Sequence, residues 1–107
     1  MADKAQTWVY TEDYVAESEA LTAARAVATE MGASPVSAGT GAALRMLAAV
    51  SGARAVLEVG TGAGVSGLWL LDGMAADGVL TTIDSESELL GHARRNFATA
   101  GLSSHRT

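Results

Sequence analysis

The chain has no cysteine. That absence removes disulfides, thiolate metal sites and cysteine nucleophiles together. Basic residues are few: seven Lys and Arg against twelve Asp and Glu give a formal charge of -5. They are scattered, with Arg94-Arg95 the only adjacent pair. Neutralising phosphates requires clustered basic side chains, so neither nucleic acid nor an anionic membrane surface is an expected partner. Charged residues make up only 18% and apolar ones 49% of the 107 residues, which excludes disorder driven by polarity. No apolar run is long enough to cross a bilayer; the uncharged stretch Val59 to Leu71 is short and interrupted by glycine. Met1-Ala2-Asp3-Lys4 leads into polar and acidic residues, unlike the apolar core of a signal peptide. The expectation is a soluble cytoplasmic protein of one domain at most.

What is present falls into three stretches. Residues 1–11 read as a flexible lead, the first eight having no periodicity. Residues 12–52 read as two helices. The first runs from Glu12 to Met31, with Leu21, Ala24, Ala28 and Met31 on one stripe. Gly32 stops it and Pro35 marks the break. The second runs from about Thr40 to Val50, with Leu44, Met46 and Leu47 as its apolar side and Gly52 after it. Residues 53–107 then read as strand, helix, strand, helix. Ala55–Val59 and Val79–Ile83 are short apolar runs of the kind found in parallel strands covered on both faces. A helix from about Val65 to Ala75 joins them, carrying Leu68, Leu71 and Met74. Ser85 with Glu88 three residues later fits a capping box for a last helix, which buries Leu89, Ala93, Phe97 and Ala100 before Gly101. Two parallel strands make a poor α/β domain, and Ser103–Thr107 fall in the loop where a third strand is due. The expected architecture is therefore the N-terminal part of a longer doubly wound fold.

The stretch that carries chemistry is Glu58-Val59-Gly60-Thr61-Gly62-Ala63-Gly64-Val65-Ser66-Gly67. It follows a strand and opens a helix, the setting a cofactor loop requires. A tight strand-to-helix turn with no ligand has the same local pattern. Gly62, Gly64 and Gly67 also satisfy G-x-G-x-x-G, with Asp84 about twenty residues on, as for a nicotinamide dinucleotide. Glu58 argues against that cofactor, because a carboxylate facing a pyrophosphate is a like-charge contact. S-adenosylmethionine (SAM) has no phosphate and carries an ammonium and a sulfonium, which a carboxylate favours. Asp84 suits a bidentate grip on ribose hydroxyls, or simply a helix N-terminus favoured by the macrodipole. Ser66 could donate to a carboxylate, or be a plain helix-start residue.

These segments, with Leu68-Trp69-Leu70, Asp77-Gly78-Val79-Leu80-Thr81-Thr82-Ile83-Asp84, Ala93-Arg94 and Ala100-Gly101, resemble the class I SAM-dependent O-methyltransferases of the catechol and caffeoyl-CoA type, in a bacterial, actinobacterial branch. The resemblance runs from about Glu12 to the end. It implies a Rossmann-like methyltransferase fold and SAM contacts by Glu58, the Gly60-Thr61 backbone, Ser66 and Asp84. It also implies a backbone contact near Val36, where the family often has proline after Ser or Thr and this chain has Ser37-Ala38. The implied reaction is methyl transfer to a hydroxyl, phenolic by the same resemblance, of a small molecule, in a homodimer. Family members are about twice as long; their divalent-metal (Mg) ligands and catalytic groups lie mainly beyond the third strand. No catalytic base and no metal ligand is assigned within this chain. His92 and His105 read as exposed polar residues. Trp8, Tyr10 and Tyr14 read as ordinary packing of a first helix, although the resemblance allows a role covering the active site or subunit interface. Trp69 is expected to pack on the sheet or a partner. Two other functions stay open: an NAD-dependent oxidoreductase using the G-x-G-x-x-G loop, and a non-catalytic fragment or oligomerising module.

Overall fold

The computed structural model describes residues 3–102 and 106–107. Three helices precede the first strand: α1 (Lys4–Asp13), α2 (Glu19–Glu30) and α3 (Ala38–Val50). Then follow β1 (Ala55–Val59), α4 (Val65–Gly73), β2 (Val79–Ile83) and α5 (Ser87–Thr99).

The N-terminal part departs from the sequence reading. In place of an aperiodic lead, Lys4–Asp13 form α1, capped by the Asp3 side chain accepting from Ala5 N. The single helix expected from Glu12 to Met31 is two helices with a break between them. Ser18 makes the break: it is extended, and its hydroxyl accepts from Leu21 N as the cap of α2. Glu17 turns back to bind Arg25 through two hydrogen bonds of 2.7 and 2.8 Å. The stripe of α2 is as read, with Leu21, Ala24 and Ala28 buried. α1 buries no residue and is tied to α3 by the Glu12 carboxylate accepting from Gly39 N at 2.8 Å. Trp8, Tyr10 and Tyr14 are 66, 68 and 72% exposed; among the described residues they stay out of the core, and the Tyr10 and Tyr14 rings lie 5.6 Å apart on the surface of the N-terminal segment.

Small residues, not the large ones, seat α3. Gly41 and Ala48 are its buried positions, whereas Met46, Leu47 and Val50 are exposed. The reason is Trp69 of α4, which lies directly against Gly41 and leaves no space for a side chain there. Trp69 is fully buried, donates its indole N–H to Glu17 at 3.3 Å, and carries the Arg45 guanidinium 5.1 Å from its ring centroid. The tryptophan expected on the sheet or a partner is thus the keystone between α3 and α4.

β1 and β2 pair in parallel with Ala55 opposite Val79 and Val59 opposite Ile83. One face of the pair meets the helices: Leu80 is fully buried close to Gly67 of α4, where Phe97 of α5 also packs. The other face carries Leu57, Val59, Val79 and Ile83, which are all exposed. The continuous apolar runs suggested cover on both faces; among the described residues only one face is covered. The last helix starts at Ser87, one residue later than the capping box required, and Glu86 at its cap position makes no side-chain cap bond. Beyond α5, Arg106 lies alongside β2: its carbonyl accepts from Leu80 N at 2.7 Å, and its guanidinium donates to Gly78 O and Ala75 O. His105 lies outside the described residues.

Candidate cofactor site

β1 turns into α4 through Gly60–Gly64. Gly60, Gly62 and Gly64 have φ of 97, 55 and 97°, a left-handed backbone that glycine adopts at little cost. Gly64 is also the cap residue of α4 and offers no side-chain acceptor to the first-turn N–H groups. The loop is braced from three sides. Gly60 N donates to Ile83 O at 2.7 Å, Gly62 N donates to Asp84 Oδ2 at 2.9 Å, and Asn96 Nδ2 donates to Ala63 O at 2.8 Å. These bonds fix the turn from β2 and α5, so its shape does not rest on the glycines alone.

Two carboxylates stand at the ends of the two strands. Glu58 is half-buried; its Oε1 accepts from Thr82 Oγ1 at 2.8 Å and its Oε2 accepts from Ser66 Oγ. Ser66, read from sequence as a donor to a ligand carboxylate, therefore donates to Glu58. Asp84 accepts from Glu86 N at 2.9 Å through Oδ1 as well as from Gly62 N. The backbone N–H groups of Glu86 and then Gly62 hold its carboxyl below the ordinary carboxylate range, so it is ionised at neutral pH. Asp84 thus does the work of a local cap that the sequence reading gave to Ser85.

A cleft of about 110 Å³ opens beside the loop, lined by Pro35, Val36, Gly60, Thr61, Gly62 and Ser66 among others. Four residues singled out in the sequence, Val36, Gly60, Thr61 and Ser66, share that lining. Glu58 and Asp84 do not line it; each stands one hydrogen bond away, through Ser66 and through Gly62. The cleft is smaller than the roughly 300 Å³ at which sites for drug-sized ligands begin. It can hold part of such a ligand, the remainder lying in the open.

Two polar residues of this site escaped the sequence reading. Thr82 is the register partner of Glu58, so aligning the two strands would have paired them. Asn96 interrupts the apolar side of the last helix between Ala93 and Ala100, and a polar residue there signals a backbone partner. His92 is half-buried, with Nδ1 accepting from Arg95 at 3.0 Å on α5. Among the described residues no three His, Asp or Glu side chains are grouped to hold a metal, and no helix is long and apolar enough to cross a membrane.

Comparison with known proteins decides the family. The O-methyltransferase family model matches residues 5–106. The chain belongs to the O-methyltransferase family. A curated relative of that class from Mycobacterium bovis is 55% identical over 100 residues, covering 94% of this chain and 45% of its own length. The O-methyltransferase TomG from Streptomyces achromogenes, solved with SAM and involved in tomaymycin synthesis, superposes with a TM-score of 0.82 at 32% identity, over 94% of this chain and 48% of that one. The O-methyltransferase from Bacillus cereus, solved with SAH, gives 0.84 at 28% identity, over 95% and 47%. The chain thus spans about half the length of the curated relatives it matches, and its α/β fold is the N-terminal half of the Rossmann-like O-methyltransferase fold. Family membership sets the nicotinamide reading aside.

Proposed function

We propose that this chain is the SAM-binding half of an O-methyltransferase that methylates a hydroxyl, phenolic in our reading, of a small molecule. One observation carries the cofactor choice: the carboxylate of Glu58 is presented by hydroxyls at the mouth of a glycine loop, with no cation paired to it among the described residues. A pyrophosphate there would meet a like charge, whereas an organic cation meets its counter-ion. Bound SAM supplies an electrophilic methyl on sulfonium, and the protein's task is placement and charge. Glu58 takes the ammonium. The backbone at Gly60 and Thr61 lets the ligand approach closely, and the Val36 backbone closes the opposite wall. Asp84, already ionised and fixed by two N–H groups, takes ribose hydroxyls with its remaining lone pairs. Ser66 has committed its only proton to Glu58, so it meets the cofactor as an acceptor.

The groups that bind the acceptor, activate its hydroxyl and hold a Mg ion belong, in this reading, to the other half of the relatives' length. The setting is the cytoplasm. The exposed apolar face of Leu57, Val59, Val79 and Ile83 favours self-association of the chain by itself, which light scattering over a concentration series reads directly. The functional test is calorimetry. Titrated SAM should give saturable binding and NADH none. NADH binding the tighter of the two, or no SAM binding by a chain with intact circular dichroism, overturns the reading.

A further inference from the structure

The hydroxyls around Glu58 form a directed chain, and its order follows from counting protons. Thr82 Oγ1 lies 2.8 Å from Glu58 Oε1 and 2.6 Å from Thr61 Oγ1. An ionised carboxylate only accepts, so the single proton of Thr82 points at Glu58. Thr61 must then donate to Thr82. Thr61 is 3% exposed, and its hydroxyl relies on this bond in place of water. On the other side Ser66 donates to Oε2. Each oxygen of Glu58 therefore receives one O–H, from two different elements, α4 and β2, with Thr61 of the loop behind.

Such a frame orients a carboxylate without neutralising it. Lysine or arginine in these positions would hold Glu58 as firmly but cancel its charge; hydroxyl dipoles leave the charge whole and leave one side of each oxygen free. Thr82 reaches Glu58 because the parallel register sets the two opposite each other. Its β-branched side chain has restricted χ1 freedom, which helps keep the hydroxyl on target.

We infer that Thr82 is a positioning residue: it holds Glu58 in the orientation that receives the ammonium of the cofactor, relayed from the buried hydroxyl of Thr61. This rests on the SAM reading above, and the experiment separates the two. Thr82→Val keeps the shape and removes the proton, while Thr82→Ser keeps the proton. The ligands are SAH, which carries the ammonium, and 5′-methylthioadenosine, which has the same nucleoside without it. Thr82→Val should weaken SAH about tenfold, the scale of losing a bond to a charged group. It should leave methylthioadenosine within about twofold, and Thr82→Ser should restore SAH to within about threefold. Equal loss for both ligands, or no loss for SAH, overturns the inference. A second measurement needs no ligand: three-bond couplings at Glu58 should report one χ1 rotamer in the parent chain and Thr82→Ser, and averaging in Thr82→Val. An unchanged rotamer in Thr82→Val also overturns it. If the parent chain binds neither ligand, the SAM reading falls, and the couplings still decide whether Thr82 positions Glu58.

Discussion

Replacing Gly41 with alanine tests how α4, and with it the loop, is held. A Cβ at Gly41 would lie 2.2 Å from Trp69 Nε1 and 2.3 Å from Cδ1, more than an ångström inside ordinary contact. The ring cannot retreat cheaply: it is fully buried, bonded to Glu17 and covered by Arg45. Overpacking of this kind costs about 1–3 kcal/mol. Alanine recovers up to about 1 kcal/mol over glycine in a helix interior. A clash of more than an ångström puts the cost in the upper part of that range, about 2–3 kcal/mol, so the net expectation is a loss of about 1–2 kcal/mol. Gly91 is the control, a helical glycine in α5 whose added Cβ meets only Arg95 Nη1 at 3.8 Å. Alanine there should gain about 0.5–1 kcal/mol. With a urea slope near ~1.5 kcal/mol/M, the midpoint should fall by roughly 1 M for Gly41→Ala and rise by roughly 0.5 M for Gly91→Ala. Far-UV circular dichroism follows both, and tryptophan emission in a Trp8→Phe background reports Trp69 directly. If Gly41→Ala is as stable as the parent, or the two substitutions shift the midpoint alike, the α3–α4 seam is not packed on Trp69 as described.

Acid should weaken the fold through Glu17. Its hydrogen bonds to Arg25, aided by the charge of that guanidinium, hold its carboxyl below the ordinary value of 4.5. A depressed folded value means that the stabilisation is complete above that pH and is lost as pH falls below it, through the folded value. Glu17→Gln should accordingly lower the urea midpoint at neutral pH and flatten its decline as pH falls below 4.5; an unchanged acid limb contradicts this. Phe97→Ala removes the ring that packs against Gly64 and Gly67 beneath the loop, and should cost about 3–5 kcal/mol by thermal or chemical unfolding. A cost below about 1 kcal/mol would mean that α5 does not brace the loop. Asp84→Asn should weaken SAM about tenfold or more by calorimetry, while circular dichroism stays unchanged. Full retention of affinity would remove Asp84 from the site.

The strands, the glycine loop and the paired acidic residues were legible because each rests on local chemistry. Apolar runs bounded by glycine mark β1 and β2, and loop glycines at positive φ have few substitutes. The seam between α3 and α4 was not legible. Leu44, Met46 and Leu47 looked like the inward side of α3, yet Gly41 and Ala48 are its buried positions, and at Gly41 an indole approaches too closely for anything larger. Periodicity reports which residues are apolar, whereas that packing depends on shape across two elements. The break at Ser18 was hidden for a related reason. The apolar stripe of Glu12 to Met31 hides a local N-cap, Ser18, and the reach of Glu17 to Arg25 and Trp69 fixes the chain there. Ser66 shows the limit for the site itself. The sequence left it between a donor to a carboxylate and a plain helix-start residue; in the structure it donates to Glu58, a partner that the fold supplies. The exposed sheet face was misread because an apolar run does not say how many of a strand's faces its own chain covers.

The most direct test of the cofactor site is a residue-resolved one: titrate SAM into isotope-labelled chain and follow backbone amide shifts. The account predicts saturable shifts centred on Gly60–Ser66, Asp84–Glu86 and the segment around Val36, with α1 and the exposed edge of α3 unmoved. Shifts confined to the aromatic surface of α1, or none at all in a folded chain, would contradict it.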